Sequence, residues 1–109
     1  MYDRELVKGS TSLLLLHLVS KRPMYGYEMA KEMEKKSNRE LTIKEGTLYP
    51  ALHKLEQKGF IESFWQQQTG MPARKYYRVT AEGEALLREK TREWRSFVSV
   101  IDRVLGEST

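Results

Sequence analysis

Cysteine is absent from this sequence of 109 residues, and its absence excludes several kinds of chemistry. Disulfide bonds, thiolate nucleophiles and zinc sites built on cysteine are impossible, and so is thiol-based sensing of oxidants. The only histidines, His17 and His53, lie far apart in the chain, and no cluster of acidic residues at ligand spacing accompanies them. We therefore predict no metal site, no cofactor and no catalytic site.

Long hydrophobic runs are also absent. The most apolar stretch, residues 13–19, is interrupted by His17 and is far shorter than the roughly 20 residues that span a bilayer. Charged residues precede this stretch and no small-residue cleavage pattern follows it, which is not typical of a secretory signal. We expect a protein that has no membrane partner and works in the cytoplasm.

Positive charge is in excess. The chain has 19 Lys and Arg against 15 Asp and Glu, which gives a net charge of +4 and a pI near 9.4. A basic chain favours an acidic partner such as nucleic acid, although charge alone is weak support. The length suits one domain with a modest core, so we expect one domain and a partner.

Hydrophobic periodicity predicts three helices in the first half of the chain. The first spans about residues 4–20 and the second about residues 26–36. The third carries Leu48, Leu52 and Leu55 at steps of four and three along one face. These spacings predict a small helical core.

The third helix contains a proline, Pro50, which is tolerated only in an early turn. Either this helix starts close to residues 45–47 or it bends at Pro50, and the sequence leaves both possibilities open. Gly59 follows as the predicted end of the helix.

A β-hairpin and a long helix complete the predicted order. Residues 60–65 and 75–79 are rich in aromatic and β-branched side chains, and residues 69–72 have turn chemistry. Thr80 is the predicted N-cap of a last helix that ends near Gly106.

This order predicts a mainly α fold with a β-hairpin. The order of elements is that of a winged helix-turn-helix DNA-binding domain over residues 1–80, followed by a long C-terminal dimerisation helix in residues 81–109.

Four ordered motifs stand out along the chain. They are Tyr25-Gly26-Tyr27-Glu28, Gly46-Thr47-Leu48-Tyr49-Pro50-Ala51-Leu52, Leu55-Glu56-Gln57-Lys58-Gly59-Phe60-Ile61 and Arg74-Lys75-Tyr76-Tyr77-Arg78-Val79-Thr80. With these motifs the sequence resembles the PadR family of transcriptional regulators, and its single helix after the hairpin resembles the short subfamily. The resemblance implies a homodimeric repressor that binds double-stranded DNA, often at its own operon, and that an effector or stress releases.

The third helix is the candidate recognition helix, because polar side chains lie off its leucine stripe. The resemblance indicates that the Gly-Thr-Leu-Tyr-Pro stretch faces DNA, with Thr47 and Tyr49 as the principal contacts. The alternative is that Thr47 only caps the helix and that Tyr49 packs under the wing. The candidates in and just before this helix are Lys44, Thr47, Tyr49, Pro50, His53 and Lys54.

Two tyrosines lie at the start of the second helix. Tyr25 precedes free backbone N–H groups that suit a phosphate oxygen, and a role in the core is an equal alternative. Tyr27 is predicted to lie in the core, beside Met29.

The hairpin is predicted to contact phosphates, because residues 66–80 contain three cations and no acid. Alternation along the second strand places Arg74 and Arg78 on one face and Lys75 on the other. Arg74 and Lys75 are nearest the tip and are the predicted contacts. The alternative is a solvated edge strand that uses its cations against aggregation.

Apolar residues recur every seven positions along the last helix, which is typical of a helix–helix seam. The three short helices and the hairpin cannot cover this seam, so we predict that a second subunit does. The predicted interface residues are Leu87, Trp94, Phe97, Val98, Ile101, Val104 and Leu105.

The resemblance also implies a planar aromatic effector that stacks on Trp94, with Leu16 and Phe97 as further lining. The alternative is that Trp94 only fills the dimer interface. Two other functions are weighed against DNA binding: a protein-interaction module, and an enzyme, for which the sequence offers no titratable pair at a suitable spacing.

Overall fold

A computed structural model describes residues 2–106 and shows a mainly helical chain with one three-stranded sheet. The elements are α1 (Arg4–Lys8), α2 (Thr11–Lys21), β1 (Met24–Tyr25), α3 (Gly26–Lys36), α4 (Glu45–Gln57), β2 (Ile61–Gln68), β3 (Met71–Val79) and α5 (Ala81–Leu105). This order confirms the predicted fold class, a winged helix-turn-helix with a long C-terminal helix. Met1 and residues 107–109, which belong to the predicted first and last segments, lie outside the described residues.

The predicted first helix is wrong in one respect, because two helices take its place. Helix α1 ends at Lys8, and α2 begins at Thr11 after a break at Gly9 and Ser10. Glycine is a poor helix former, and the Ser10 hydroxyl donates a hydrogen bond of 2.9 Å to the Val7 carbonyl. Both effects favour a turn over a continuous helix at this point.

The sheet has the order β1-β3-β2, with antiparallel pairs. The sequence did not predict β1, since two residues are too few for an alternating pattern. The predicted turn over residues 69–72 is shorter in the structure, because Met71 and Pro72 already belong to β3. Gly70 has a positive φ of 69°, which glycine adopts without strain.

The core lies between α2, α3, α4 and one face of the sheet. Its fully buried large side chains are Leu15, Leu16, Met29, Leu48, Leu52 and Ile61. Tyr77 of β3 and Met24 of β1 close it from the sheet side. The leucine stripe of α4 is therefore the inner face of that helix, as predicted.

Helix α4 settles the question of Pro50. The helix begins at Glu45 and continues through Pro50 to Gln57. Thr47 is the third residue of the helix and Lys44 is its N-cap, so the interpretation of Thr47 as a capping residue is wrong. Gly59 ends the helix with a φ of 82°, as predicted.

Helix α5 begins against the sheet and extends away from it. The Thr80 hydroxyl caps it by accepting a hydrogen bond of 3.0 Å from the Gly83 N–H. Gly83 is buried against the Phe60 carbonyl, which a Cβ at this position would overlap. Leu87 still packs against the core, whereas each large apolar side chain from Trp94 to the described end of α5 is exposed. Within residues 2–106, neither α5 nor another helix is apolar enough over sufficient length to cross a bilayer.

Candidate nucleic-acid interface

Helix α4 has one buried and one open side. Leu48, Leu52 and Leu55 are at most 4% exposed and anchor the helix in the core. The predicted contact residues of this region are all exposed: Lys44, Thr47, Tyr49, Pro50, His53 and Lys54. The open side of α4 therefore offers hydroxyl, imidazole and ammonium groups on a rigidly held helix.

Tyr49 packs against the first turn of α3, not under the wing. A Cβ added at Gly26 would lie 2.6 Å from the Tyr49 hydroxyl oxygen and 2.7 Å from its Cε1 atom. Gly26 is thus the residue that allows the Tyr49 ring to lie across the start of α3. The ring remains 43% exposed, so Tyr49 is held in place and still accessible.

The prediction that Tyr27 lies in the core is wrong. Its side chain is 59% exposed, and the Lys31 Nζ atom lies 5.2 Å from its ring centroid. Two residues along a helix correspond to about 200° of rotation. Because Met29 faces the core, Tyr27 must face away from it, beside the open side of α4.

The outer face of the wing carries an aromatic ladder, which we define as Tyr25, Tyr76 and Phe64. The centroids of Tyr25 and Tyr76 are 5.4 Å apart with an interplanar angle of 70°, and those of Phe64 and Tyr76 are 5.8 Å apart at 22°. An arginine covers each end: the Cζ atoms of Arg74 and Arg78 lie 4.4 Å from the Tyr25 and Phe64 ring centroids, respectively. The predicted sharing of one face by Arg74 and Arg78 is confirmed.

The two arginines differ in their charge partners. Arg78 donates a hydrogen bond of 2.8 Å from Nε to Oε1 of Glu62, its cross-strand neighbour. Among residues 2–106, no carboxylate lies within ion-pair distance of Arg74. Arg74 therefore keeps an uncompensated charge on the outer face of the wing.

Lys75 points to the other face of the sheet, where α4 lies. Its Nζ atom is 3.9 Å from Glu56 Oε1, and the Ser63 hydroxyl donates to the other oxygen of the same carboxylate. Glu56 thus links α4 to both strands of the wing. Burial raises the pKa of the neighbouring Tyr77 hydroxyl, and the charge of Glu56 adds to this shift, so Tyr77 stays neutral at physiological pH.

A cavity of about 650 Å³ lies beside the start of α4. Val7, Leu14 and Ile43 contribute apolar walls, and Lys44 and Thr47 border it on the side of α4. Its walls come from α1, α2 and the segment before α4, so no local sequence pattern indicates it. The N-terminal helices therefore adjoin the candidate recognition helix.

The predicted residues of the effector and dimer surfaces fall into two groups. Leu16 is fully buried, so its side chain belongs to the core, and this burial argues against contact with a ligand. Leu87 is half-buried against the core of its own chain. The remaining predicted residues form an exposed apolar stripe, which we call the α5 stripe: Trp94, Phe97, Val98, Ile101, Val104 and Leu105.

Three residues of this region were missed or misplaced from the sequence. Glu56 and Phe64 matter through their neighbours on other elements, which local periodicity does not identify. Tyr27 had a usable signal, since its separation of two residues from Met29 already places it on the opposite side of a helix.

Comparisons with known proteins agree with this geometry. The sequence profile of the "Transcriptional regulator PadR-like family" matches residues 15–89, which is more than half of the chain. The transcriptional regulator Rv3488 from Mycobacterium tuberculosis is 34% identical over 103 residues, which cover 94% of this chain and 90% of that protein.

Solved structures show the same fold. A transcriptional regulator from Clostridium thermocellum matches with a TM-score of 0.87 at 33% identity, over 94% of this chain and 97% of that one. A PadR-family transcriptional regulator from Eggerthella lenta matches with a TM-score of 0.85 at 33% identity, over 95% of this chain and 88% of that one. The chain therefore belongs to the PadR-like family of transcriptional regulators.

Proposed function

We propose that this chain is a homodimeric repressor that binds a palindromic operator and leaves it when an effector binds. The observation that supports this most is the open side of α4, where groups suited to bases and phosphates stand beside a basic wing. A cytoplasmic location is part of the proposal, because the protein must reach the DNA. A catalytic role is not, since the relatives described above are transcriptional regulators.

In this proposal α4 enters the major groove, which is wide enough for one helix. Thr47 and Tyr49 offer hydroxyls that can donate to or accept from base edges, and His53 offers an imidazole one turn further on. Lys44 and Lys54 lie near the two ends of the open side of α4, where phosphates flank the groove. Pro50 presents an apolar edge suited to a thymine methyl group.

The wing supplies phosphate contacts, chiefly through Arg74. A cation that already has a carboxylate partner gains less from a phosphate, because its charge is partly compensated. Arg74 has no such partner among the described residues, whereas Arg78 is paired with Glu62 and Lys75 lies near Glu56. We therefore assign the main contact to Arg74 and a weaker one to Lys75.

The α5 stripe is the proposed dimer interface. Phe97 is 56% exposed and Val104 78% exposed, and these residues continue a single face of the helix. Exposing such a stripe to water is unfavourable, and covering it with the same stripe of a second copy gives a two-fold dimer. Two recognition helices related by that axis would read two half-sites, which makes the operator palindromic.

The effector is proposed to be a planar aromatic molecule that stacks on Trp94 and Phe97 at this interface. The alternative is that Trp94 only packs against the partner. Trp65 is the second tryptophan and is exposed, so the ligand test requires the Trp65→Phe variant as background. Quenching of Trp94 fluorescence by planar compounds supports an effector site, and a dimer without quenching by any of them supports packing alone.

The experiment that tests the function is selection of duplexes from a random DNA library, followed by titration at several salt concentrations. We expect a palindromic consensus and an affinity that falls with salt. Arg74→Ala should reduce the slope of log K against log salt by about 0.9, the value of one phosphate contact. Arg78→Ala is the matched control and should change the slope less.

If no sequence is selected and the chain shows no salt-dependent binding to DNA, DNA recognition would be contradicted and a protein-interaction module favoured. An unchanged salt slope for Arg74→Ala would remove the wing contact alone and leave the role of α4 in place.

A further inference from the structure

Tyr25 occupies a position that connects β1, the start of α3 and the wing. Strand β1 contains only two residues, yet it pairs with β3 and places Tyr25 directly opposite Tyr76. The edge-on contact with Tyr76 holds the Tyr25 ring, and the guanidinium of Arg74 lies over that ring at 4.4 Å. The predicted phosphate contact uses backbone N–H groups at the start of α3, so it gives no role to this ring.

The geometry suits a supporting ring better than a direct contact. A guanidinium that lies over an aromatic ring keeps the N–H donors at its edge free for other partners. The N–H donors of Arg74 have no carboxylate partner within residues 2–106. The stack therefore restricts the arginine without consuming its hydrogen-bonding capacity.

We propose that Tyr25 is a positioning residue, whose ring holds the Arg74 guanidinium in place for a DNA phosphate before DNA binds. An unsupported arginine loses much of its side-chain freedom when it binds, and this loss weakens the complex. Stacking on Tyr25 restricts Arg74 in the free protein, so less freedom is lost on binding. The inference rests on the proposed function, since it assigns a role within DNA binding.

The other end of the aromatic ladder provides a control within the same molecule. Phe64 supports Arg78 at the same distance of 4.4 Å, but the Arg78 guanidinium is already bound to Glu62. Removal of the Phe64 ring should therefore have little effect on DNA affinity. If positioning of an uncompensated arginine is what matters, only the Tyr25 end of the ladder responds.

The test measures the affinity of five variants for the selected duplex at a fixed salt concentration. Tyr25→Leu removes the ring and should weaken binding about four-fold, the range of an exposed cation–π contact. Tyr25→Phe keeps the ring and removes only the hydroxyl, so its affinity should stay within about two-fold of the parent, as should that of Phe64→Leu. In an Arg74→Ala background, Tyr25→Leu should cause no further loss.

A measurement without DNA tests the stack itself. A proton that lies over an aromatic ring resonates upfield, so the Arg74 Hε signal should move downfield in Tyr25→Leu and stay in place in Tyr25→Phe. Arg74→Lys keeps the charge but lacks the planar group, and it should lose about as much affinity as Tyr25→Leu. This variant also keeps the proposal testable if Tyr25→Leu does not fold.

Three results would overturn the proposal. Equal losses in Tyr25→Phe and Tyr25→Leu would identify a hydroxyl contact with DNA. A loss that persists in the Arg74→Ala background would show that Tyr25 does not act through Arg74. Unchanged affinity in Tyr25→Leu would show that the stack has no effect on binding. A parent chain that binds no duplex would instead contradict the proposed function, and the role in DNA binding would fall with it.

Discussion

The two ends of the chain differ in how their apolar side chains are covered. From α2 to β3, the leucines and methionines of three helices close around one core, and the large side chains that are fully buried all lie there. In the second half of α5, Trp94 and Phe97 are 39% and 56% exposed. The apolar side chains of the first region are covered within one chain, and those of the second are exposed.

This difference separates folding from assembly. A substitution in the first region removes contacts that one chain makes with itself, so its effect should appear in the free energy of unfolding. A substitution on the α5 stripe removes contacts that a second copy makes in the proposed dimer, so its effect should appear in the dissociation constant of that dimer. Each of the following variants tests one side of this comparison.

The largest expected effect comes from Phe97→Glu, in the middle of the α5 stripe. A carboxylate buried in an apolar interface without a partner is costly, and a two-fold interface contains it twice. We expect the dissociation constant of the proposed dimer to rise about 1,000-fold or more, while the helical circular dichroism of the chain persists. Analytical ultracentrifugation measures the dissociation constant.

Ser99→Glu is the matched control, since residue 99 lies about 200° around α5 from residue 97 and faces away from the stripe. This variant should remain dimeric. If Phe97→Glu is as dimeric as the parent, or if both variants dissociate equally, the α5 stripe is not the interface.

The second effect concerns Leu16, which the family resemblance places beside a ligand and the structure places in the core. Leu16 is 0% exposed. Replacement of a fully buried leucine by alanine lowers the free energy of unfolding by about 3 kcal/mol. Urea unfolding in a Phe97→Glu background measures this cost without a contribution from assembly. Val104→Ala, at a site that is 78% exposed, should cost far less in the same background.

If Leu16→Ala loses about as little unfolding free energy as Val104→Ala, Leu16 is not a core residue. The comparison between the two regions would then fail at its best-buried position.

The sequence predicted those parts of the fold that local signals determine. The spacing of Leu48, Leu52 and Leu55 identifies the inner face of α4, and Thr80 and Gly59 mark helix ends through their own chemistry. These signals act within a few residues of the chain. They therefore hold without knowledge of what packs against them.

The parts that could not be predicted depend on pairing between distant segments. An irregularity between Gln66 and Gln68 shifts the register of the hairpin. Continued from the turn without it, the pairing would set Phe64 against Lys75 in place of Tyr76, and a shift by one residue exchanges the two faces of a strand. The aromatic ladder and the contact of Lys75 with Glu56 both depend on this irregularity.

The third effect concerns Gly83, where α5 meets the first region. In Gly83→Ala, the new Cβ would overlap the Phe60 carbonyl oxygen and lie 2.8 Å from Val79 Cγ2. Overpacking of this kind costs about 2 kcal/mol, which exceeds the roughly 1 kcal/mol that alanine gains over glycine in a helix. We expect a net loss of stability in urea unfolding.

Gly46→Ala is the matched control, because a Cβ at Gly46 would have no neighbour within 4 Å. The same substitution in α4 should leave stability unchanged or raise it slightly. A Gly83→Ala variant as stable as Gly46→Ala would show that α5 is not seated on Phe60.

The smallest effect is expected at Thr80, where the two regions join. Its hydroxyl accepts a hydrogen bond from the Gly83 N–H and donates one of 2.7 Å to the Gly59 carbonyl, so it connects the end of α4 to the start of α5. Thr80→Ala removes both bonds and should lower the free energy of unfolding by about 1 kcal/mol. Thr80→Ser retains the hydroxyl and should recover most of this loss, whereas an equal loss in both variants would assign the effect to the methyl group. Because the cap lies far from the α5 stripe, the dimer dissociation constant should stay the same in both variants, and a change in it would mean that folding and assembly are coupled through the start of α5.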